Sequence, residues 1–154
     1  MITHHEPSNI CLVTDGVIVH GCNAQGVMGS GVAKQLRAKY PDIFLAYVSH
    51  LDTYKGLDVN PLGSVSFSRI NGSLLVANAI TQEFYGRDGE LYVSYIALKE
   101  CLKSVAEFVI ARRNMPVHIP YLIGAGLGGG DEEKIIHIIE TKLKDCDVHI
   151  HHWK

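Results

Sequence analysis

Two glycine-rich segments are the parts of this sequence whose residue types and spacing best suit a ligand site. The first covers 21–31 (GCNAQGVMGSG) and the second covers 124–130 (GAGLGGG), and together they hold most of the 15 glycines. Glycine lets backbone N–H groups approach phosphate oxygens closely, and a helix that follows such a loop adds partial positive charge. The pair therefore predicts a site that holds a diphosphate between backbone amides, although either loop alone is equally well explained by turns that bind nothing.

Several polar side chains near these loops are candidates for ligand contact or for chemistry. The amide of Asn23 suits ribose hydroxyls, and an Asx-turn that closes the loop's own backbone is the alternative. His20 is a candidate acid or base, and a hydrogen-bonded interior histidine is equally compatible. Asp88 is expected to activate water or orient His20, with an exposed turn as the alternative. Tyr85 is expected to stack on the ligand, and Arg87 to attract its terminal phosphate.

The elements that must position these residues alternate between short apolar strands and amphipathic helices. Strands are predicted over 17–22, 65–67, 74–80, 117–123 and 148–152. Helices are predicted over 32–40, 42–51 and 92–113, and a last helix is predicted to begin after Asp131. The Asn71-Gly72 pair predicts a two-residue hairpin, so part of the sheet should be antiparallel. We therefore predict one domain over 1–154, an α/β sandwich around a mixed sheet.

The composition excludes several broad classes of protein. With 47% hydrophobic and 19% charged residues, a disordered chain is excluded. A net charge of −2 argues against a generic binder of duplex nucleic acid, which needs a basic face. The chain has no apolar run of about 20 residues and no apolar stretch near its start, so we expect no membrane partner. Four cysteines without a C-x-x-C pair favour a reducing compartment and a cytoplasmic location.

Histidines near the end of the sequence raise the question of a metal site. On a strand, His149 and His151 would share one face and His152 would point to the other. No cysteine or carboxylate is placed to complete a coordination shell, so we predict no metal site and no cofactor here. The pattern instead predicts an edge strand with exposed imidazoles.

Segment 19–33 (VHGCNAQGVMGSGVA) resembles the first ligand loop of the macrodomain superfamily, which usually reads N-A-A-N, a variable stretch and G-G-G-V-A. Segment 123–128 (IGAGLG) is similar to that family's second phosphate loop, which joins a late strand to the last helix. The resemblance implies a three-layer α/β/α sandwich that binds ADP-ribose and related small molecules. The contacts it implies are Glu6 at the adenine, Asn23 at the distal ribose, Gly29, Ser30, Gly31 and Val32 at the diphosphate, Gly124, Ala125, Gly126, Leu127 and Gly128 on the opposite side, and Tyr85 as a stacking surface.

The HGCN form of the motif at 20–23 resembles the ADP-ribose-1''-phosphate phosphatase branch of this superfamily. That resemblance implies metal-independent hydrolysis of the phosphate monoester to ADP-ribose and phosphate, with His20 as acid or base and Asp88 in support. The related glycohydrolase branch has a lysine after the middle strand, where this sequence has Gln82 and Glu83. A hydrolase of ADP-ribosyl groups on macromolecules and a non-catalytic ADP-ribose reader stay open as alternatives, and the sequence leaves the oligomeric state open.

Overall fold

The structure is a computed structural model that describes residues 2–29, 31–86, 88, 90–121, 123 and 129–153. In this part of the chain, one sheet has the strand order β1-β6-β5-β2-β4-β3. Its strands are β1 (Ile2–His5), β2 (Gly16–Asn23), β3 (Val65–Arg69), β4 (Leu74–Gln82), β5 (Val117–Pro120) and β6 (Val148–His151). Neighbouring strands run parallel, apart from the antiparallel pair β3 and β4. The predicted mixed sheet is confirmed.

Helices cover both faces of this sheet. The helices of the described residues are α1 (Gly31–Lys39), α2 (Asp42–Gly56), α3 (Tyr95–Ile110) and α4 (Glu132–Lys142), with a short 3-10 turn at Ile10–Leu12. Alternate residues of β2 contact opposite layers, because successive strand side chains point to opposite faces. Val17 and Val19 pack in the core beneath α3 and α4, whereas Ile18 and Cys22 pack against α1 and α2. The three-layer α/β/α sandwich is confirmed.

Helix α3 is shorter than predicted at both ends. It begins at Tyr95 because Ser94 is its N-cap, with a hydroxyl oxygen that accepts a hydrogen bond from the Ala97 N–H at 3.1 Å. Residue Val93, which the helix prediction included, instead forms a β-bridge with Gln82. The chain leaves the helix after Ile110 and soon adopts positive φ.

Two other boundaries differ from the prediction for local reasons. Strand β5 ends at Pro120 rather than at residue 123, because the Ile123 N–H turns back to donate to the Pro120 carbonyl at 3.0 Å. The hairpin between β3 and β4 forms, but its connection is longer than two residues. Asn71 closes it with a side-chain oxygen that accepts from the N–H groups of Ser73 and Leu74, an Asx-turn.

The prediction that 148–152 is an edge strand with exposed imidazoles is wrong. Strand β6 lies between β5 and β1, and His151 and His152 are buried. The edge is β1 (ITHH), which has too little apolar alternation to be recognised as a strand. Its His5 lies with Nε2 2.9 Å from His149 Nδ1, so histidines of neighbouring strands cover one another.

Candidate functional site

The first glycine loop leaves the carboxyl end of β2, and Asn23 fixes its shape. Asn23 Oδ1 accepts from the Gln25 N–H at 2.9 Å, and Asn23 Nδ2 donates to the Val27 carbonyl at 2.8 Å. The buried Tyr47 hydroxyl lies 2.9 Å from Asn23 Oδ1 and accepts from the Gly26 N–H at 3.1 Å. The Asx-turn considered from the sequence is therefore present. It leaves Asn23 one amide N–H for a ligand, because a side-chain amide has two donors.

The loop ends at the N-terminus of α1, which is suited to an anion. Gly31 begins the helix with a φ of +61°, a backbone conformation that side chains rarely adopt, and both Gly29 and Gly31 are exposed. The first turn of α1 contains no acidic residue, so its partial positive charge has no carboxylate of that turn beside it. The N–H groups around Val32 are thus available to phosphate oxygens.

The carboxyl end of β4 is tied to the first loop. The Ala24 N–H donates to the Gln82 carbonyl at 2.9 Å, and Gln25 Nε2 donates to the Glu83 carbonyl at 3.0 Å. The chain then passes through the exposed Phe84 and Tyr85 toward Asp88. We call the connection between β4 and α3 the Asp88 loop. These bonds place its start beside the first glycine loop.

Asp88 is an exposed carboxylate held by two donors. The Tyr92 hydroxyl lies 2.8 Å from Oδ1 and 2.9 Å from Oδ2, and the Glu90 N–H donates to Oδ1 at 3.1 Å. The Tyr92 hydroxyl, followed by the Glu90 N–H, lowers the pKa of Asp88 below its ordinary value. Asp88 is therefore ionised at neutral pH and can orient a water molecule, and the same donors make it a weaker base and a readier proton donor once protonated.

The Asp88 loop also packs against the end of the second glycine loop. A Cβ atom at Gly129 would lie 2.4 Å from the Glu90 carbonyl oxygen, and Gly129 has a φ of +72°. Asp131 caps α4 as predicted, with an oxygen that accepts from the Lys134 N–H at 3.1 Å, and its own N–H donates to the Tyr95 hydroxyl. The predicted ligand residues that lie outside the described residues are Ser30, Gly124, Ala125, Gly126, Leu127 and Gly128, together with Arg87.

The structure places His20 in the interior rather than at the cleft. Its side chain is 1% exposed, and Nε2 lies 2.6 Å from Asn78 Oδ1. Since Asn78 Nδ2 donates to the Ile43 carbonyl, its oxygen accepts, which puts the His20 proton on Nε2. Burial lowers the pKa of His20 to about 4, against the opposing effect of the Asn78 hydrogen bond. The hydrogen-bonded interior histidine considered from the sequence describes this arrangement.

Glu6 follows the carboxyl end of β1, so it lies at the same end of the sheet as the first glycine loop. It is exposed, and its Oε1 lies 3.0 Å from His152 Nδ1. Trp153, which sequence reasoning did not select, follows His152 and is 60% exposed. Strand β1 is three strand spacings from β2, or about 14 Å, since adjacent strands lie about 4.8 Å apart. A ligand that reaches from Glu6 to Asn23 must therefore be elongated.

Tyr47, within the helix predicted over 42–51, was not selected as a site residue from the sequence. A buried tyrosine usually finds a hydrogen-bond partner for its hydroxyl, and that general rule is the signal that pointed to it. Within the described residues there is no group of three or more histidine, cysteine, aspartate or glutamate side chains arranged to hold a metal ion. None of the helices in these residues has the length and apolar content to cross a membrane.

Curated proteins similar to this chain fall into three groups. An uncharacterized 17.5 kDa protein of Enterobacteria phage T4 is 35% identical over 141 residues, 89% of this chain and 86% of that protein. A DNA ADP-ribosyl glycohydrolase of Mycobacterium tuberculosis is 25% identical over 138 residues, and the match covers 87% of this chain and 37% of the larger protein. An ADP-ribose 1''-phosphate phosphatase of Scheffersomyces stipitis is 37% identical over 62 residues, 40% of this chain and 34% of that protein.

Solved structures show the same fold over nearly the whole chain. A Bacteroides thetaiotaomicron protein superposes with a TM-score of 0.86 at 32% identity and covers 99% of this chain and 98% of that one. Thermosipho africanus DarTG in complex with ADP-ribose has a TM-score of 0.72 at 17% identity, covering 98% of this chain and 41% of that one. The sequence profile of the Macro domain family matches residues 19–139. The chain belongs to the Macro domain family.

Proposed function

We propose that this chain binds ADP-ribose along the carboxyl edge of its sheet and hydrolyses the phosphate monoester of ADP-ribose 1''-phosphate. The observation that carries the binding proposal is the first glycine loop, which Asn23 and Tyr47 hold against the N-terminus of α1. Its amides suit a diphosphate, and the remaining Asn23 N–H suits the distal ribose. Glu6, which contacts His152, is proposed to accept from the adenine amino group at the far end. Tyr85 is proposed to stack on the ligand, and 124–128 to enclose it opposite the first loop.

In the proposed reaction, water attacks phosphorus and the bond from phosphorus to the 1'' oxygen breaks. ADP-ribose keeps that oxygen and inorganic phosphate leaves. The proton of the attacking water passes to Asp88, which then gives it to the departing 1'' oxygen, so that both products are complete. The loop amides stabilise charge on the phosphoryl oxygens. His20 was expected to be the acid or base, but its burial supports a positioning role instead. Through Asn78 it joins β2 to β4 beneath the loop.

The experiment that tests this proposal is release of inorganic phosphate from ADP-ribose 1''-phosphate by the purified protein. Asp88→Asn is expected to lower turnover by about 10² to 10⁴, the usual contribution of a general base, while ADP-ribose affinity changes little. Asp52→Asn, an exposed carboxylate on α2, is the matched control and should leave turnover unchanged. Equal turnover by Asp88→Asn and the wild type would remove Asp88 from the mechanism. Tight ADP-ribose binding without any turnover would instead indicate a reader.

A second candidate function is removal of ADP-ribosyl groups from DNA. It is favoured by the similarity to the mycobacterial DNA ADP-ribosyl glycohydrolase over 87% of this chain, compared with 40% for the phosphatase match. The absence of a lysine at 82–83 weighs against a mechanism that depends on lysine. Release of ADP-ribose from a modified single-stranded oligonucleotide, without phosphate release from the monoester, would establish this function in place of the first.

A further inference from the structure

A cleft of about 560 Å³ is lined by residues of α1 and α2 and by Met28 and Gly29 of the first glycine loop. Besides Gly29 of the first glycine loop, its lining includes Pro41, which lies between the two helices, and Phe44 and Leu45 of α2. The volume lies within the range of small-ligand sites, which is about 300–1,000 Å³. The cleft is therefore a recess that continues from the proposed diphosphate loop along the surface of the first helix.

The charges along this cleft are all of one sign. Lys34 and Arg37 line it, and none of its described lining residues is a carboxylate. Helix α1 (GVAKQLRAK) contains three cations and no acidic residue, although the whole chain has a net charge of −2. A local cationic stripe on a nearly neutral protein favours an anionic occupant.

The apolar part of the cleft suits flat, uncharged groups. The Arg37 guanidinium lies over the Phe44 ring, with Cζ 3.6 Å from the ring centroid, and Leu45 is 65% exposed. A guanidinium plane held on an aromatic ring is a platform on which a nucleobase stacks. The exposed leucine supplies further apolar surface beside it. Phosphates and bases alternate along a nucleic acid strand, so the two kinds of surface are explained together.

We propose that this cleft binds a single-stranded nucleic acid that carries the ADP-ribosyl group, with its phosphates on Lys34 and Arg37 and a base on the Arg37–Phe44 stack. The inference rests on the proposed ADP-ribose site and on the second candidate function, and it names where the macromolecule lies. In the proposed ADP-ribose site, Asn23 lies at the distal ribose, to which the macromolecule is attached, and Gly29 lies at the neighbouring diphosphate. Because Gly29 also lines the cleft, the cleft adjoins the proposed ligand site.

The test compares affinity for ADP-ribose with affinity for a fluorescently labelled single-stranded oligodeoxynucleotide over a series of salt concentrations. The double variant Lys34→Ala/Arg37→Ala is expected to bind the strand about tenfold more weakly at low salt. The plot of log K against log salt should become shallower, with a slope about 1.4 smaller in magnitude, which corresponds to two lost phosphate contacts. ADP-ribose affinity should stay within about twofold of the wild type, since neither side chain belongs to the proposed ligand loop.

Matched controls separate this site from a general charge effect. Lys99→Ala/Lys103→Ala removes the same charge from α3, on the opposite face of the sheet, and should bind the strand as the wild type does. Arg37→Lys keeps the charge and loses the planar stack, so it should keep the salt slope while affinity falls. Equal strand binding by the wild type and Lys34→Ala/Arg37→Ala would overturn the proposal. So would equal losses in the control pair.

Two further outcomes locate a failure. A polyglutamate peptide that competes with the strand as strongly as unlabelled strand does would overturn the assignment to nucleic acid. Loss of strand binding in the double variant, in a protein that does not bind ADP-ribose at all, would overturn the proposed function and would leave the cleft as a strand site.

Discussion

The Asn23 side chain uses most of its hydrogen-bonding groups within its own loop, so they are not available to a ligand. Its side-chain oxygen accepts from the Gln25 N–H and lies 2.9 Å from the Tyr47 hydroxyl, and one of its two amide hydrogens is bound to the Val27 carbonyl. A residue arranged in this way acts on binding mainly by setting the positions of backbone amides. In the proposed site, the loop amides rather than the asparagine itself would be the principal contacts of a diphosphate.

Tyr47→Phe tests whether this arrangement matters for binding. Without the hydroxyl, the Gly26 N–H and Asn23 lose a buried partner, which costs about 1–2 kcal/mol of unfolding free energy. We expect ADP-ribose affinity, measured by calorimetry, to fall about tenfold because the loop is no longer held in one conformation. Tyr54→Phe on the same helix is the control and should change neither quantity. Unaltered affinity in Tyr47→Phe would show that Asn23 holds the loop alone.

Among the elements around the site, the segment that carries Asp88 meets the end of the second glycine loop at a close approach in the described residues. Gly129 lies against the Glu90 carbonyl, in the segment that also carries Asp88 and the Tyr92 hydroxyl bound to it. The backbone at Gly129 therefore leaves no room for a side chain beside Glu90, so the segment that carries Asp88 and the end of the second glycine loop approach closely at this point.

Gly129→Ala should disrupt this contact. A Cβ atom would lie 2.4 Å from the Glu90 oxygen, and a φ of +72° costs an alanine about 1 kcal/mol or more. We expect both ADP-ribose affinity and phosphate release to fall at least tenfold, with a lower melting temperature. Gly72→Ala in the β3–β4 connection is the control, because no heavy atom lies within 4 Å of its Cβ position. Equal behaviour of the two variants would mean that the loops are not coupled through this contact.

Some of these elements were predictable from the sequence and others were not. Strand β2 and helix α1 were predictable because an apolar β-branched run, a glycine loop and a helical repeat follow one another directly. Strand β1 was not, because an edge strand with polar residues carries no apolar pattern. Because β1 was not predicted, β6 was predicted to be the edge strand, with its histidines exposed. The assignment of His149 and His151 to one face was correct.

Some features of the candidate site were likewise predictable from the sequence, and others were not. The position of Asp88 in a loop after β4 followed from the strand prediction, since the end of a strand faces the cleft. The burial of His20 did not, because the sequence does not show which face of a strand is covered by which helix. Its partner Asn78 lies 58 residues away on β4 and is fixed only by strand register. Lys34 and Arg37 could not be selected from the sequence, because the cleft that they line exists only where α1 and α2 pack together.

Across the whole molecule, the sheet contains a ladder of neighbouring imidazoles on β1, β6 and β5. His118 Nδ1 lies 2.8 Å from His151 Nε2, and the Ser8 hydroxyl lies 2.7 Å from His151 Nδ1. The rings of His5 and His149 stack beside them, with centroids about 5 Å from their neighbours. Protonation would place like charges against one another within the ladder that joins β1, β6 and β5.

This ladder predicts loss of stability in mild acid. Burial, reinforced by His118 and His5, lowers the pKa of His151 from 6.5 to about 4, and burial lowers the pKa of His20 to about 4. The unfolded chain therefore binds more protons than the folded one between these values. The stability that neutral His151 and His20 contribute to the folded protein is fully present above pH 6.5, and it is lost as the pH falls toward 4. Urea unfolding across this range should show a falling free energy of unfolding, with a shallower fall in His151→Gln, which keeps a hydrogen-bonding side chain but cannot titrate. Parallel curves for the two proteins would exclude His151 as a source of the acid sensitivity.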